Sequence, residues 1–443
     1  MDALSKFYKE LSSLASSTEE LTISQAREVV RKINEFLYCS DPSNGKTYAL
    51  GNMYEYISDF HKYWEKHHKE ILNCQIDEEK CEQVADVLFD IYRKTNGKAF
   101  NRVYDTCGLT PEQICQVRML TANQDFRGSR NFSELAQKYR EDPSIFDPES
   151  IEEDPRGFLK SLGFTGLSQN DKRENYAKTI ARFVRDCNTT PYGILECFKN
   201  DVYAIREALI NRIGAGYGNK KADMFIRDMV VLGVWKNVVG FDRINVASDI
   251  NTIKVALRTG IIKTEIPLVS SFLDIFCHQY SYIDDMNAEA WRRVWEIWTK
   301  KHKGEALMSP CLIDYFVYNV IGIQFCKENL TIFECSKYKH HFPWHTGMNK
   351  TCQICYQNGE KRIPARIFEK LMPCSSPEGE VAILNSDFVR NLPEDEKLHQ
   401  CPFADICGDN RKLMAPKSIS ILGQTGWATA YTQKNNGGGG LMA

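Results

Sequence analysis

Apolar positions recur at helical spacing over most of the chain. Residues 25–38 (QAREVVRKINEFLY) and 82–94 (EQVADVLFDIYRK) repeat them three and four apart, as a helix with one buried face requires. A break falls near 105–111, where CGLTPEQ offers a glycine, then a threonine N-cap, then proline at the first helical position. Residues 111–141 predict a helix, a turn at Arg127–Asn131 and a second helix. The stretch 142–156, DPSIFDPESIEEDPR, is acidic and proline-rich and is expected to be a loop. Helices are predicted again over 172–187, 201–213 and 220–232, after Ser248-Asp249, and over 286–303 and 309–327. Beyond 330 the period fades as Gly, Pro, Cys and His rise, and the closing NNGGGG reads as a flexible end. The expected class is all-α, with a helical region of no assigned role over 1–108, a helical domain over 109–330 and a Cys/His-rich module over 331–443.

Composition narrows the classes. The 443 residues suffice for two or three domains, and 43% hydrophobic with 26% charged is ordinary for a globular chain. No run of about 18 uncharged apolar residues appears, so no membrane span is expected. The first residues, MDALSKFYKELSSL, read as an amphipathic helix rather than a signal peptide, which points to the cytoplasm, or the nucleus in a eukaryote. A net charge of −2 argues against a protein that coats nucleic acid, though it allows a local basic face. Ten of the 16 cysteines are scattered between Cys39 and Cys326, and six crowd into 335–407 with paired spacings. In a reducing compartment such pairs suggest metal ligands rather than disulfides.

The most informative stretch is 209–232, LINRIGAGYGNKKADMFIRDMVVL. An apolar helix runs into Gly214-Ala215-Gly216-Tyr217-Gly218, and a second helix starts near Asn219. Glycines at alternate positions permit a tight hairpin and leave backbone N–H groups uncovered at a helix N-terminus, which suits a phosphate. Lys220 stands in that first turn, where a cation opposes the helix dipole, so helix stability alone does not account for it. Taken by itself the pattern is better read as a glycine-rich turn with two solvated lysines.

Gly216-Tyr217-Gly218-Asn219-Lys220-Lys221-Ala222-Asp223 resembles the G-V-G-x-K-x-A-D run of the helix-hairpin-helix DNA glycosylase superfamily, nearest its 8-oxoguanine glycosylase and endonuclease III branches. The family's usual Leu-Pro is replaced here by Gly214-Ala215. The resemblance implies that Lys220 is a nucleophile attacking C1′ of a deoxyribose to form a Schiff base. That attack needs a neutral amine, toward which Lys221 could contribute positive charge. It implies DNA contacts from Gly216, Gly218, Asn219 and Lys221.

Breaking a glycosidic bond makes a cationic, oxocarbenium-like sugar, which a nearby carboxylate stabilises. The family places an aspartate just before a helix, and VASDINTIKVALRTG over 246–260 is similar, with Asp249 in that position and Asn251 where many members carry His. Asp249 is otherwise simply an N-cap. Asp242, in GFDRIN, is the competitor, without the apolar-basic helix after it. VRMLTANQDF over 117–126 resembles the helix end whose polar side chain fills the gap left by an extruded base, with Asn123 and Gln124 as candidates. Arg173, Lys178 and Arg182 in KRENYAKTIARFVRDC are candidates to face phosphates.

IGIQFC, ending at Cys326, resembles the start of the endonuclease III iron–sulfur loop, and Cys352-Gln353-Ile354-Cys355 and Cys401…Cys407 resemble later pieces of it, separated by an insertion. Cys352, Cys355, Cys401 and Cys407 are the candidate ligands of zinc or an iron–sulfur cluster, with Cys335, His340, His341 and His345 as other possible donors. The resemblance thus implies a monomeric DNA glycosylase, with or without lyase activity, acting on a modified base in double-stranded DNA. An oxidised purine is the family-level substrate. The added segments are similar instead to specialised bacterial anti-phage glycosylases that remove glucosylated hydroxymethylcytosine. The rival classes are a non-catalytic DNA-gripping module and an N-glycosidase of RNA or nucleosides.

Overall fold

The computed structural model describes residues 3–15, 17–39, 53–101, 103–125, 130–164, 170–266, 281–326, 330–335, 341–343, 365–370 and 401–407. These residues are mostly helical. In the N-terminal third stand α1 (Ala3–Leu14), α2 (Ile23–Cys39), α3 (Met53–Leu72) and α4 (Glu78–Thr95). The middle holds α5 (Pro111–Thr121), α6 (Phe132–Glu141), α7 (Pro148–Glu153), α8 (Pro155–Ser161) and α9 (Asn170–Asp186). Then come α10 (Ile194–Cys197), α11 (Val202–Asn211), α12 (Asn219–Val231), α13 (Ile250–Thr259) and α14 (Ser281–Lys301).

Local chemistry explains most of the starts. Thr110 accepts the Gln113 N–H and Gln113 returns a bond to the Thr110 N–H, a capping box with Pro111 in the first turn. The expected loop over 142–156 is instead a run of short helical turns. Asp142-Pro143, Asp147-Pro148 and Asp154-Pro155 each put an aspartate at an N-cap and a proline just inside, so each Asp-Pro pair begins a turn of helix rather than breaking one. The single helix expected over 309–327 is also corrected. It divides into a 3-10 turn at Pro310–Ile313 and a π-helical segment, Phe316–Phe325. Gly322 of that segment lies against the start of α13, where a Cβ would stand 2.9 Å from the Asn251 Cβ.

The first 108 residues pack against the helices that follow them. Strand β1 (Gln75–Ile76) pairs antiparallel with β2 (Ile262–Lys263), and the Glu265 N–H donates to the Leu72 carbonyl. Helix α4 packs along α14, with Phe89 and Tyr92 edge-on to Trp298 at 6.5 and 5.6 Å. Phe100 meets Phe316 at 5.2 Å. Residues from Phe7 to Cys407 belong to one buried apolar cluster, so burial crosses the expected boundary at 108.

Beyond 330 the structure adds short strands to the Cys/His-rich segment. Strands β3 (Leu330–Cys335), β4 (His341–Pro343) and β5 (Ala365–Lys370) form an antiparallel sheet in the order β4-β3-β5. The turn Ala404–Cys407 packs on α4 and α13, with Cys401 and Cys407 buried. Among the described residues no helix is long and apolar enough to cross a membrane.

Candidate active site

The connection from α11 to α12 is a glycine turn. Gly214 and Gly216 both have φ in the left-handed region, +85° and +74°. At Gly216 a side chain is excluded twice over, since a Cβ would also sit 2.5 Å from the Tyr176 ring. Ala215 and Tyr217 point inward, and the Tyr217 hydroxyl donates to the Met119 carbonyl at 2.7 Å. Gly218, the N-cap of α12, contributes no side-chain cap, and among the described residues nothing lies within 4 Å of where its Cβ would be. The approach to the first turn of α12 is therefore open, as an anion would need.

The first turn of α12 sends its residues in different directions, because successive helix positions are about 100° apart. Asn219 Oδ1 accepts from Arg206, which also pairs with the buried Asp223. Lys221 turns inward and donates to the Asn123 carbonyl at 2.8 Å. Burial pushes its pKa down to about 8, with Lys220 and Arg173 adding to the effect and Asp125 opposing it. Lys220 points the other way, its side chain 53% exposed, with Nζ 3.8 Å from Asp249 Oδ2.

Asp249 is both an N-cap and the partner of Lys220. Its Oδ1 accepts the Asn251 and Thr252 N–H groups at 2.9 Å each, and Thr252 Oγ1 accepts the Asp249 N–H in return. Oδ2 faces Lys220 and the Asn251 amide, and the side chain is only 8% exposed. Cap and ion pair thus use different oxygens of one carboxylate. The competitor Asp242 is exposed on the turn Phe241–Arg243, where its backbone carbonyl takes Arg292.

Residues that sequence reasoning missed surround this pair. Asp284, in the first turn of α14, accepts from the Ser248 hydroxyl at 2.9 Å. The fully buried Asn287 donates to Ser248 Oγ at 2.9 Å and Thr252 Oγ1 at 3.0 Å, and accepts from the Trp291 indole at 3.1 Å. Burial pushes the Asp284 carboxyl up to about 6. The Ser248 hydrogen bond and Lys220 pull it down, while Asp285 and Asp249 push it further up. Tyr318 of the π-helical segment is raised to about 12 by burial and by the Asp249 charge.

Asn123 and Gln124, the candidate plug residues at the end of α5, lie in the interior. Both are 0% exposed, on a 3-10 turn that tucks the end of α5 into the interior. Asn123 Nδ2 donates to the Tyr176 and Ala215 carbonyls at 3.0 and 2.9 Å, tying α9 to the glycine turn, and Gln124 Nε2 donates to the Arg173 carbonyl at 3.2 Å. Through these bonds they brace the hairpin from inside. The basic helix divides similarly. Arg173 is buried 4.9 Å over Phe164, Arg182 pairs with Glu152 at 2.7 Å, and Lys178 is exposed with no such partner among the described residues.

Beneath the turn runs a buried ionic chain. Arg118 pairs with Asp125 at 3.1 Å and Asp228 at 3.6 Å, and Arg227 pairs with Asp228 and Asp314. Buried charges persist only when paired, and these pairs fix α12 against α5 and the turn at Pro310–Ile313. Of the candidate metal ligands, Cys352 and Cys355 lie outside the described residues, while Cys401 and Cys407 are in the core. Among the described residues there is no cluster of three or more His, Cys, Asp or Glu able to hold a metal. No family model matches this chain, and neither a curated protein nor a solved structure matches it.

Proposed function

We propose that this chain is a DNA glycosylase of the helix-hairpin-helix kind, cleaving the N-glycosidic bond of a modified base. The observation that carries the reading is the meeting of Lys220 and Asp249 at 3.8 Å, from the starts of two helices 29 positions apart in sequence. A half-exposed amine beside a buried carboxylate, next to an open helix N-terminus, suits attack on a sugar carbon that is held by its phosphate. In this reading the deoxyribose C1′ occupies the space in front of the pair. The bond to the base breaks with its electron pair on the base, and Asp249 stabilises the cationic sugar. Lys220 adds to C1′, which makes lyase activity part of the proposal. Gly216, Gly218 and Asn219 form the phosphate-facing turn, while Lys221 braces it from within.

The helical body over 109–330 is proposed as the two-lobed domain of that family, with duplex DNA between the lobes and 1–108 buttressing one of them. The segment beyond 330 is proposed as a metal module. Its paired thiols suit zinc or an iron–sulfur cluster, with Cys401 and Cys407 as two of the ligands.

The test is a panel of oligonucleotides, each with one modified base, scored for abasic sites. It includes oxidised purines and glucosylated hydroxymethylcytosine, in repair-type and phage-type contexts. Because Asn123 and Gln124 are interior, each base is offered in both single- and double-stranded DNA. Release from at least one substrate, lost in Asp249→Asn, is expected. Tight DNA binding with no release from any substrate favours the non-catalytic module.

A further inference from the structure

We propose that Asp284 is the proton-accepting partner of Lys220, so that two carboxylates around one lysine divide the work, Asp249 holding charge and Asp284 moving the proton. This rests on the lysine chemistry proposed above.

The hydrogen bonds argue for the division. Asp249 is committed: one oxygen takes two backbone N–H groups and the other faces Lys220 and Asn251. Neither oxygen of that carboxylate is left without a neighbour to hold. Asp284 is tied on one oxygen only, by Ser248, and its other oxygen has no hydrogen-bond partner among the described residues. The direction of that tie is fixed by its neighbours. The Trp291 indole can only donate, so it must meet the Asn287 carbonyl oxygen. The Asn287 amide then donates to Ser248 and Thr252, and Ser248, already an acceptor, spends its own proton on Asp284. Asp284 is thereby oriented as an acceptor by the same network that holds Thr252, the capping partner of Asp249. The charged groups that bear on it are Lys220 on α12, Asp249 at the start of α13 and Asp285 on its own helix. Its position near pH 6, nearer neutrality than an ordinary carboxyl, suits a group that must take a proton and return it.

On an abasic site the step balances. Lys220, whose ion-pair contact among the described residues is with Asp249, swings its exposed side chain toward Asp284 and gives one ammonium proton to that carboxylate. The neutral amine adds to the C1′ aldehyde to give a carbinolamine. Asp284 returns the proton to the departing hydroxyl, water leaves, and an iminium remains on Lys220.

The full-length protein and a duplex carrying a single abasic site provide the test, with borohydride trapping the iminium as a covalent adduct. Wild-type trapping should rise with pH through an inflexion near 6, the side on which Asp284 is ionised. Asp284→Asn, which can still accept from Ser248, should lose that inflexion and trap at least about tenfold more slowly at pH 7. Its affinity for the same duplex should stay within about twofold, and Asp284→Glu should restore part of the rate. Ser248→Ala, which frees the carboxylate without removing it, should fall between the two. The isosteric amide should also melt no lower than wild type, since it removes a charge that burial disfavours. A merely structural Asp284 would instead show a lowered melting point and an unchanged pH profile. Asp284→Asn with the wild-type rate and profile overturns this role alone. No adduct from wild type at any pH, with no difference from Lys220→Gln, overturns the lysine chemistry and this role together, while base release in the panel still tests the glycosylase reading separately.

Discussion

Replacing Asp249 by asparagine separates its two jobs. As an N-cap, asparagine is as good as aspartate, so the bonds to the Asn251 and Thr252 N–H groups can survive. The lost ion pair to Lys220 is worth little to stability, because the lysine is 53% exposed and such pairs contribute about 0–1 kcal/mol. A shift in melting temperature of no more than about 3 °C follows. Chemistry is a different matter. The Lys220 Nζ, 3.8 Å from Oδ2, marks where a positive charge can sit against this carboxylate. A cationic sugar at about that distance gains roughly 4 kcal/mol at an effective dielectric near 20, and less where water enters beside the exposed lysine. Since about 1.4 kcal/mol is tenfold in rate, the substitution should slow base release by about 10²- to 10³-fold. The measurement is single-turnover release with enzyme in excess, beside a binding titration on the same duplex. A loss under about tenfold, or a loss explained by weaker binding, refutes the electrostatic role. A collapse of the melting temperature would instead mean that the Asp249 charge facing Lys220 chiefly holds the fold.

Two further outcomes test other parts of the structure. Asn123→Ala removes its bonds to the Tyr176 and Ala215 carbonyls and takes the buried donor from the Ala215 carbonyl, so stability should fall by about 1–3 kcal/mol in a denaturant titration; a loss confined to duplex binding, with normal stability, would favour the plug role. If Cys352, Cys355, Cys401 and Cys407 hold a metal, purified protein should contain it stoichiometrically, brown for iron–sulfur and colourless for zinc, and Cys355→Ser should lower stability before activity; a stable protein free of metal returns Cys401 and Cys407 to the ordinary core.

What was legible in the sequence was whatever depends on near neighbours. The helix starts at Pro111, Asn219 and Ile250 follow from the residues beside them, as does the bend at Gly214 and Gly216. The Asp-Pro pairs at 142, 147 and 154 misled, because aspartate and proline signal turns and helix starts alike, and only the cap bonds tell which. The pairing of Lys220 with Asp249 was an expectation from resemblance, and the two side chains do meet. Asp284 could not be foreseen, since its tie to Ser248 spans 36 positions and depends on how α14 packs on α13. Nor could the burial of Asn123 and Gln124, polar residues at a helix end that normally face water, be read from their types.

The adjacent lysines turn this limit into a measurement. Sequence places Lys220 and Lys221 side by side, yet only Lys221 faces inward, its pKa moved from 10.5 to about 8 by burial. Below pH 8 it is charged in both folded and unfolded chains, and the fold carries the whole cost of burying that charge. Between about 8 and 10.5 the unfolded chain keeps the proton that the folded one has shed, so stability must rise with pH through that window. A shift of that size corresponds to about 3 kcal/mol. Lys221→Met loses the bond to the Asn123 carbonyl, a cost of about 1–3 kcal/mol that does not depend on pH. It also escapes the buried charge. Relative to wild type, the variant should therefore be at its best near pH 7 and lose ground steadily toward pH 10, as the wild-type lysine becomes neutral in the fold. Denaturant midpoints of the two proteins, measured side by side at each pH, cancel the titrations they share. A difference that stays constant from pH 7 to 10 would mean that Lys221 is solvated in the folded protein, and that the hairpin does not close over it.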